Sequence, residues 1–204
     1  MEDQWLSWAK RLQAIATIGC NYSESSYDTE RYEQVLDIAT QMLSSLSGVP
    51  ISQIGELSRS LGKSYVTPQI DVRGAVIVDE SILLVQEATD GLWTLPGGFA
   101  DVGLSAAENV EKEVLEEAGL EVSARTLYAI RHKAKHDYDA DFRDFYKIFF
   151  LCDCVGPQTP SPGSETKDAK FFRPTELPEL STDRVLEKDI VAAFRFNPFQ
   201  LEFD

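Results

Sequence analysis

The chain has little cysteine, with only Cys20, Cys152 and Cys154 among 204 residues. An odd count without regular spacing argues against a disulfide framework and makes the reducing cytoplasm the expected compartment. Cys152 and Cys154 alternate within an apolar run. They are expected on one strand face as core thiols, with no further soft ligands nearby to complete a metal site. Histidine is scarcer still: His132 and His136 are the full complement, and neither has the spacing of a zinc site. No apolar run approaches the roughly 20 residues that cross a bilayer. The opening Met1-Glu2-Asp3-Gln4-Trp5 is acidic and lacks the basic stretch of a secretory signal. Positive charge is short as well, 19 Lys and Arg against 34 Asp and Glu, for a net charge of -15. Such a surface repels nucleic acid and anionic membrane. An anionic substrate remains compatible with it if metal cations mediate.

What is present is enough apolar material, 43% of the residues, for one ordinary domain and a small additional one. Residues 1–64 read as helical. Trp5, Trp8, Leu12, Ile15 and Ala16 recur at helical spacing over residues 4–18. Asp28 is the expected cap of a second helix running to Leu46 and ended by Gly48 and Pro50. A third helix fits residues 51–61, stopped by Gly62. This unit holds no cluster of catalytic spacing, so packing or dimerisation is its expected role. Its Trp5-Trp8-Leu12 stripe is too apolar for so small a unit to bury alone. It is expected to lie on the other domain or on a partner subunit, in a homodimer.

From residue 65 the pattern changes. Strands are expected at 71–78, 82–86, 122–131, 145–153 and 169–173, with a short extended piece at 93–98. A Pro/Gly/Ser loop spans 156–164, and a last helix is expected over 183–194. Strands on both sides of single helices suggest a mixed sheet covered by helices, an α+β domain over residues 65–204.

The informative stretch runs from Gly97-Gly98 into a helix. Ser105 and Glu108 form a capping box that starts the helix at Ala106, and Gly119 supplies its left-handed stop. Glu113, Glu116 and Glu117 stand three and four residues apart and share a face. Like charges at that spacing repel, and the C-terminal half of a helix gives them no help from the macrodipole. The opposite face, Ala107, Val110, Val114 and Ala118, is small and apolar. A solvated acidic face is one explanation. The adjoining glycines favour another: Gly97-Gly98 lets backbone approach a ligand closely, and hard oxygen ligands so gathered suit Mg²⁺ bridging to phosphate.

Gly98, Glu113, Val114, Glu116, Glu117, Gly119 and Leu120 fit the pattern G-x5-E-x7-R-E-U-x-E-E-x-G-U, with U apolar. The chain therefore resembles the Nudix family, whose approach to this box is also similar to Trp93-x-Leu95-Pro96-Gly97-Gly98. Two positions depart from the pattern: Leu104 replaces Glu and Lys112 replaces Arg. The resemblance covers roughly residues 66–194. It implies an α/β/α sandwich around a mixed sheet and hydrolysis of a nucleoside diphosphate linked to another moiety, with Mg²⁺ or Mn²⁺. It implies Glu113, Glu116 and Glu117 as metal carboxylates, with the Gly97 or Gly98 carbonyl as a further ligand. Lys112 keeps the charge of the family's Arg but loses its fork, leaving Glu108, four residues earlier, as its expected surface partner. The helical N-terminal region and the Leu104 variant resemble a bacterial subgroup that includes CDP-choline pyrophosphatases, with ADP-ribose pyrophosphatases of similar layout. CDP-choline is the expected substrate and ADP-ribose the alternative.

In such a reaction water attacks phosphorus and a carboxylate takes its proton. Box residues Glu113 and Glu117 are candidates, as is Glu165 from a later loop, which reads equally as an exposed loop charge; Asp168 is a weaker competitor. Arg73 either reaches a phosphate or base, or pairs with Asp71. Trp93 either stacks on a base or packs in the core. Lys133, in the basic run Arg131 to His136, either holds a distal phosphate or sits on a solvated loop, and Tyr146 is a candidate for the same pocket. Two other classes compete with the enzyme reading: a non-catalytic nucleotide sensor and an RNA-processing nuclease. The intact carboxylates count against the first, and the acidic charge against the second.

Overall fold

The computed structural model describes residues 2–60, 65–198 and 201–204. The chain divides into two compact units: residues 1–68 with Asp139–Asp144, and Gln69–Tyr138 with Phe145–Asp204. A loop placed by sequence inside the second unit thus clusters with the first.

The first unit contains α1 (Gln4–Tyr22), α2 (Ser26–Ser47) and α3 (Ile51–Ser60). Asp3 caps α1 by accepting from the Trp5 amide at 2.8 Å. The cap of α2 is Ser25, not Asp28: the Ser25 hydroxyl accepts from the Asp28 amide. Asp28 instead lies in the first turn, where its charge complements the helix dipole. Gly48, at φ 72°, ends α2 in the left-handed conformation. The expected stop at Gly62 falls outside the described residues. Leu6, Ala9, Leu43 and Ile54 make a small core. Trp5 remains 59% exposed, and Trp8, Leu12 and Ile15 on the same helix are exposed with it. The stripe read from the sequence is therefore a surface.

The second unit is an α/β/α sandwich. Its strands are β1 (Gln69–Val78), β2 (Ser81–Glu87), β3 (Trp93–Thr94), β4 (Val122–His132), β5 (Phe145–Cys154), β6 (Thr166–Phe172) and β7 (Glu202–Phe203). The order is β3-β2-β1-β5-β4-β7, with β6 on β2. β1 runs parallel to β5 and antiparallel to β2, so the sheet is mixed. Alternation along β1 sorts its side chains between two cores. Val72 and Val76 pack with Val110, Val114 and Ala118 of α4 (Ala106–Ala118). Ala75 joins Tyr128, Phe149 and Ile190, the last from α5 (Glu187–Phe194). Fully burying each valine of α4 stabilises by about 1.5–3 kcal/mol, which fixes the helix against the sheet despite its acidic outer face.

Two elements differ from expectation. α5 begins at Glu187, not Asp183, because residues 181–185 close a turn on the Ser181 carbonyl and Asp189 then caps the Leu186 amide at 2.9 Å. Strand β7 was not expected; it is two residues long, too short for any period to show.

Candidate active site

The loop after β3 is stitched to β1. Val72 donates to the Gly98 carbonyl, Gly74 to the Pro96 carbonyl, and Ala100 to the Ile70 carbonyl. The Arg73 guanidinium adds a bond to the Leu95 carbonyl at 3.2 Å. Position 97 must be glycine. Its φ is +145°, and a Cβ there would stand 2.0 Å from the Val72 carbonyl oxygen. The strap therefore lies flat on the strand, with its backbone turned to α4.

Helix α4 delivers its carboxylates to that strap. Its capping box is present as expected: Ser105 accepts from the Glu108 amide, and Glu108 accepts from the Ser105 amide. Gly119 ends the helix at φ 64°. Glu117 is buried and accepts from the Gly97 amide at 2.9 Å. Burial pushes its carboxyl up to about 7; Arg73 and the Gly97 amide oppose this, and Glu113 and Glu87 add to it. Glu113 is half-buried and faces Gly98, where a Cβ would lie 3.2 Å from Oε2. Its carboxyl is also raised, first by burial, with Lys112 opposing and Glu116 adding.

Lys112 does not pair with Glu108, which the capping box occupies. It reaches Asp101 and Glu116, each at 3.1 Å. Asp101 and Glu116 thus take the place of Glu108 as partners of Lys112, and Leu104 is exposed. Glu116 is held outward on the surface by the same lysine.

Behind the carboxylates is a buried ion cluster. Arg73 makes two parallel bonds to Asp71, both 2.8 Å, and Lys147 lies 3.3 Å from the same carboxylate. Burial alone would raise Asp71; Arg73, then Lys147, outweigh it and hold it at about 2. Burial drops Lys147 to about 8, with Arg73 and Lys133 pushing the same way against Asp71. Arg73 is 4% exposed. The fixed positive charge it brings acts on both Glu113 and Glu117.

The Pro/Gly/Ser loop docks on the end of α4. Ser161 donates to the Ala118 carbonyl, and both Gly163 and the Thr166 hydroxyl donate to the Glu117 carbonyl. These bonds satisfy carbonyls that a helix end leaves unpaired. They also bring Glu165 into electrostatic range of Glu113 and Glu87. Glu87, unremarked in the sequence, ends β2, and Arg184 holds it at 3.2 Å. Burial raises its carboxyl too. A charged residue closing the apolar run Ile82–Val85 was the available signal.

The other candidates have contacts of their own. Trp93 packs edge-to-face on Phe172 at 4.8 Å in the core that α5 covers. Lys133 is buried, pairs with Asp183 and lies over the Phe145 ring. Tyr146 is exposed and tilts against His132.

Among the described residues, no three Asp, Glu, His or Cys side chains converge as a ready metal cage. The donor set still fits a hard cation. Glu113, half-buried, and Glu117, buried, are like charges, each disfavoured when ionised, and a divalent ion would relieve both. Mg²⁺ is satisfied by one or two protein carboxylates together with water and phosphate oxygens. The Gly97–Gly98 backbone flanks the same spot, while Glu116, paired with Lys112 on the surface, adds to the negative charge felt by Glu113.

Residues 68–194 match the NUDIX domain family, and residues 3–57 match the family described as a UDP-X-like, N-terminal oligomerisation domain. The chain belongs to the Nudix family and is a Nudix hydrolase. It is 40% identical over 196 residues to the Bacillus subtilis protein named "Putative ADP-ribose pyrophosphatase YjhB", covering 96% of this chain and 93% of that one. A crystal structure of an ADP-ribose pyrophosphatase from Streptococcus suis is 40% identical, with a TM-score of 0.60 over 68% of this chain and all of that one. The crystal structure of a UDP-X diphosphatase is 28% identical, with a TM-score of 0.63 over the whole of both chains. Among the described residues no helix is long and apolar enough to cross a membrane.

Proposed function

We propose that the chain hydrolyses the diphosphate of ADP-ribose to AMP and ribose 5-phosphate, using Mg²⁺ or Mn²⁺. The observation that carries this is the pair of half-dry carboxylates, Glu113 and Glu117, clamped on the Gly97–Gly98 strap in a chain so similar to two proteins named for ADP-ribose. CDP-choline, the substrate expected from sequence, has no such support. A UDP-linked nucleotide is the second reading, favoured by the full-length likeness to the UDP-X diphosphatase.

Glu113 and Glu117 would hold the metal, with Glu116 and a strap carbonyl as further ligands. Of the two carbonyls, that of Gly98 already accepts from Val72, leaving it one lone pair for a ligand. Bound there, the metal supplies charge neutralisation for the diphosphate and activation of water. Arg73, fixed by Asp71, keeps Glu117 against the strap. Glu165 takes the proton of the attacking water as the P–O–P bond breaks and the leaving phosphate departs with the electron pair. The test is hydrolysis of ADP-ribose, UDP-glucose, CDP-choline and a capped RNA with Mg²⁺ and with Mn²⁺. The expected result is ADP-ribose turnover well above the others. Preference for UDP-glucose installs the second reading.

The helical unit is the proposed dimerisation element. Trp5, Ile38, Met42 and Leu46 line an apolar groove of about 360 Å³ on its surface, and the matching family is described as an oligomerisation domain. A second copy of the unit is the proposed occupant. Light scattering at micromolar concentration should give twice the chain mass, and Trp5→Glu with Trp8→Glu should give monomer. A wild-type monomer overturns this.

A further inference from the structure

Strand β6 breaks its alternation where it meets the carboxylate helix. Ala169 packs in the core that Val110, Val114 and Ala118 of α4 share with the sheet. Strict alternation from Ala169 would send Lys167 to that side and Thr166 away from it. The structure has the reverse: Lys167 is exposed and Thr166 is buried. The cause is a slip in register. Gln86 of β2 pairs with Asp168, yet Glu87 pairs with Thr166, so Lys167 is an extra residue on β6. A bulge of this kind turns the side chains beyond it to the opposite face. Here it aims the Thr166 hydroxyl at α4, where it donates to the Glu117 carbonyl at 2.7 Å.

The acceptor gives that bond its meaning. Glu117 is the next-to-last residue of α4, and the last carbonyls of a helix have no helical amide to receive. Thr166, the Gly163 amide at 3.2 Å and the Ser161 amide supply the missing donors. The fit is close, since a Cβ on Gly163 would overlap the Glu116 carbonyl oxygen. Gly163 also donates to the Thr166 hydroxyl oxygen at 2.9 Å, which ties the loop to the strand. Glu117 is thereby held at both ends, its main chain by Thr166 and its carboxylate by the Gly97 amide at 2.9 Å. Glu113 needs no such help, because it lies a full turn inside the helix.

We infer that Thr166 is a positioning residue for the metal site, fixing the last turn of α4 so that the Glu117 carboxylate keeps its place on the strap. This rests on the reading of Glu117 as a metal ligand. Thr166 acts through the Glu117 main chain, and the bulge at Lys167 is what puts it there.

The test is calorimetric titration of Mn²⁺ into the full chain, beside melts in EDTA and steady-state hydrolysis of ADP-ribose. Thr166→Val keeps the shape and the strand preference but cannot donate. It should weaken Mn²⁺ binding by about tenfold or more, the usual effect of losing an outer partner of a ligand. Thr166→Ser keeps the donor and should bind as wild type does. Gly163→Ala, which pushes the loop off the helix end, should weaken binding as Thr166→Val does. The melts check that each variant is folded, and Gly163→Ala carries the comparison if Thr166→Val is not. In hydrolysis Thr166→Val should lose activity at limiting Mn²⁺ and regain most of it in excess Mn²⁺, a recovery that a merely loosened fold would not show. Thr166→Val that melts lower in EDTA yet binds Mn²⁺ as wild type does overturns the inference, and so does Thr166→Ser that binds as weakly as Thr166→Val. Wild type that hydrolyses ADP-ribose with an Mn²⁺ affinity indifferent to Thr166 defeats the positioning role alone. The expected order of affinities in a chain that hydrolyses no ADP-ribose defeats the function and leaves the positioning role standing.

Discussion

Glu117→Gln should lose activity and gain stability. The amide keeps a carbonyl that can accept from the Gly97 amide, a bond of 2.9 Å in the native chain, so the strap stays in place. The missing charge removes one of the two buried metal carboxylates, and kcat/KM with Mg²⁺ should fall by about a thousandfold or more. The stability effect has the opposite sign. Burial raises the Glu117 carboxyl from 4.5 to about 7. A group whose folded value is raised contributes stability that is fully present below its unfolded value and is lost as pH rises through the folded one. In metal-free protein at pH 8 the ionised Glu117 therefore destabilises the fold by about 3 kcal/mol, and the neutral glutamine does not. Thermal melts in EDTA at pH 8 should put Glu117→Gln several degrees above wild type, with the two converging near pH 4. Saturating Mg²⁺ should then raise the wild-type melt and leave the variant nearly unmoved. A variant that melts below wild type in EDTA at pH 8 would show that the carboxylate is not held there against its own charge.

The crowding of carboxylates behind that prediction was already visible in the sequence. The spacing of Glu113, Glu116 and Glu117 puts like charges on one helix face at the wrong end of the dipole, and all the needed information lies within thirteen residues of α4. The same locality made the Ser105–Glu108 box and the Gly119 stop legible. Contacts that span the chain were not. Lys112 finds Asp101, eleven residues away on the loop, because Glu108 is committed to its cap. Glu87 joins the site through the pairing of β2 with β6, which also brings up Glu165. Asp71 meets Lys147 only because β1 and β5 run parallel. Alternation says which face a residue takes, yet it does not say which strand lies alongside. The ends of α2 and α5 were misplaced for a different reason: Ser25 and Asp28 both make good caps, and Asp189 could cap only once the turn at Ser181 had closed.

Arg73→Met should be the most damaging change outside the helix. The guanidinium makes both bonds to Asp71 and the one to Leu95, and it is 4% exposed. Removing it leaves the Asp71 carboxylate buried with Lys147 alone, at 3.3 Å. Breaking a buried pair in this way costs about 3–5 kcal/mol, because the remaining charge is only partly compensated. Urea denaturation at pH 7 should show that loss. It should shrink toward acid pH, since Asp71, held at about 2 by its partners in the native chain, would protonate earlier in the variant. Arg73→Lys should recover part of the stability, keeping charge but not the paired bonds to Asp71. It should recover less of the activity. The strap would still lose its tie at Leu95, and with it the placement of Gly97 against Glu117. The ratio therefore decides the role: if Arg73→Lys restores stability and kcat/KM in step, Arg73 only holds the fold together. If stability returns and kcat/KM does not, the arginine positions the carboxylate that the box lysine, occupied with Asp101 and Glu116, leaves unsupported.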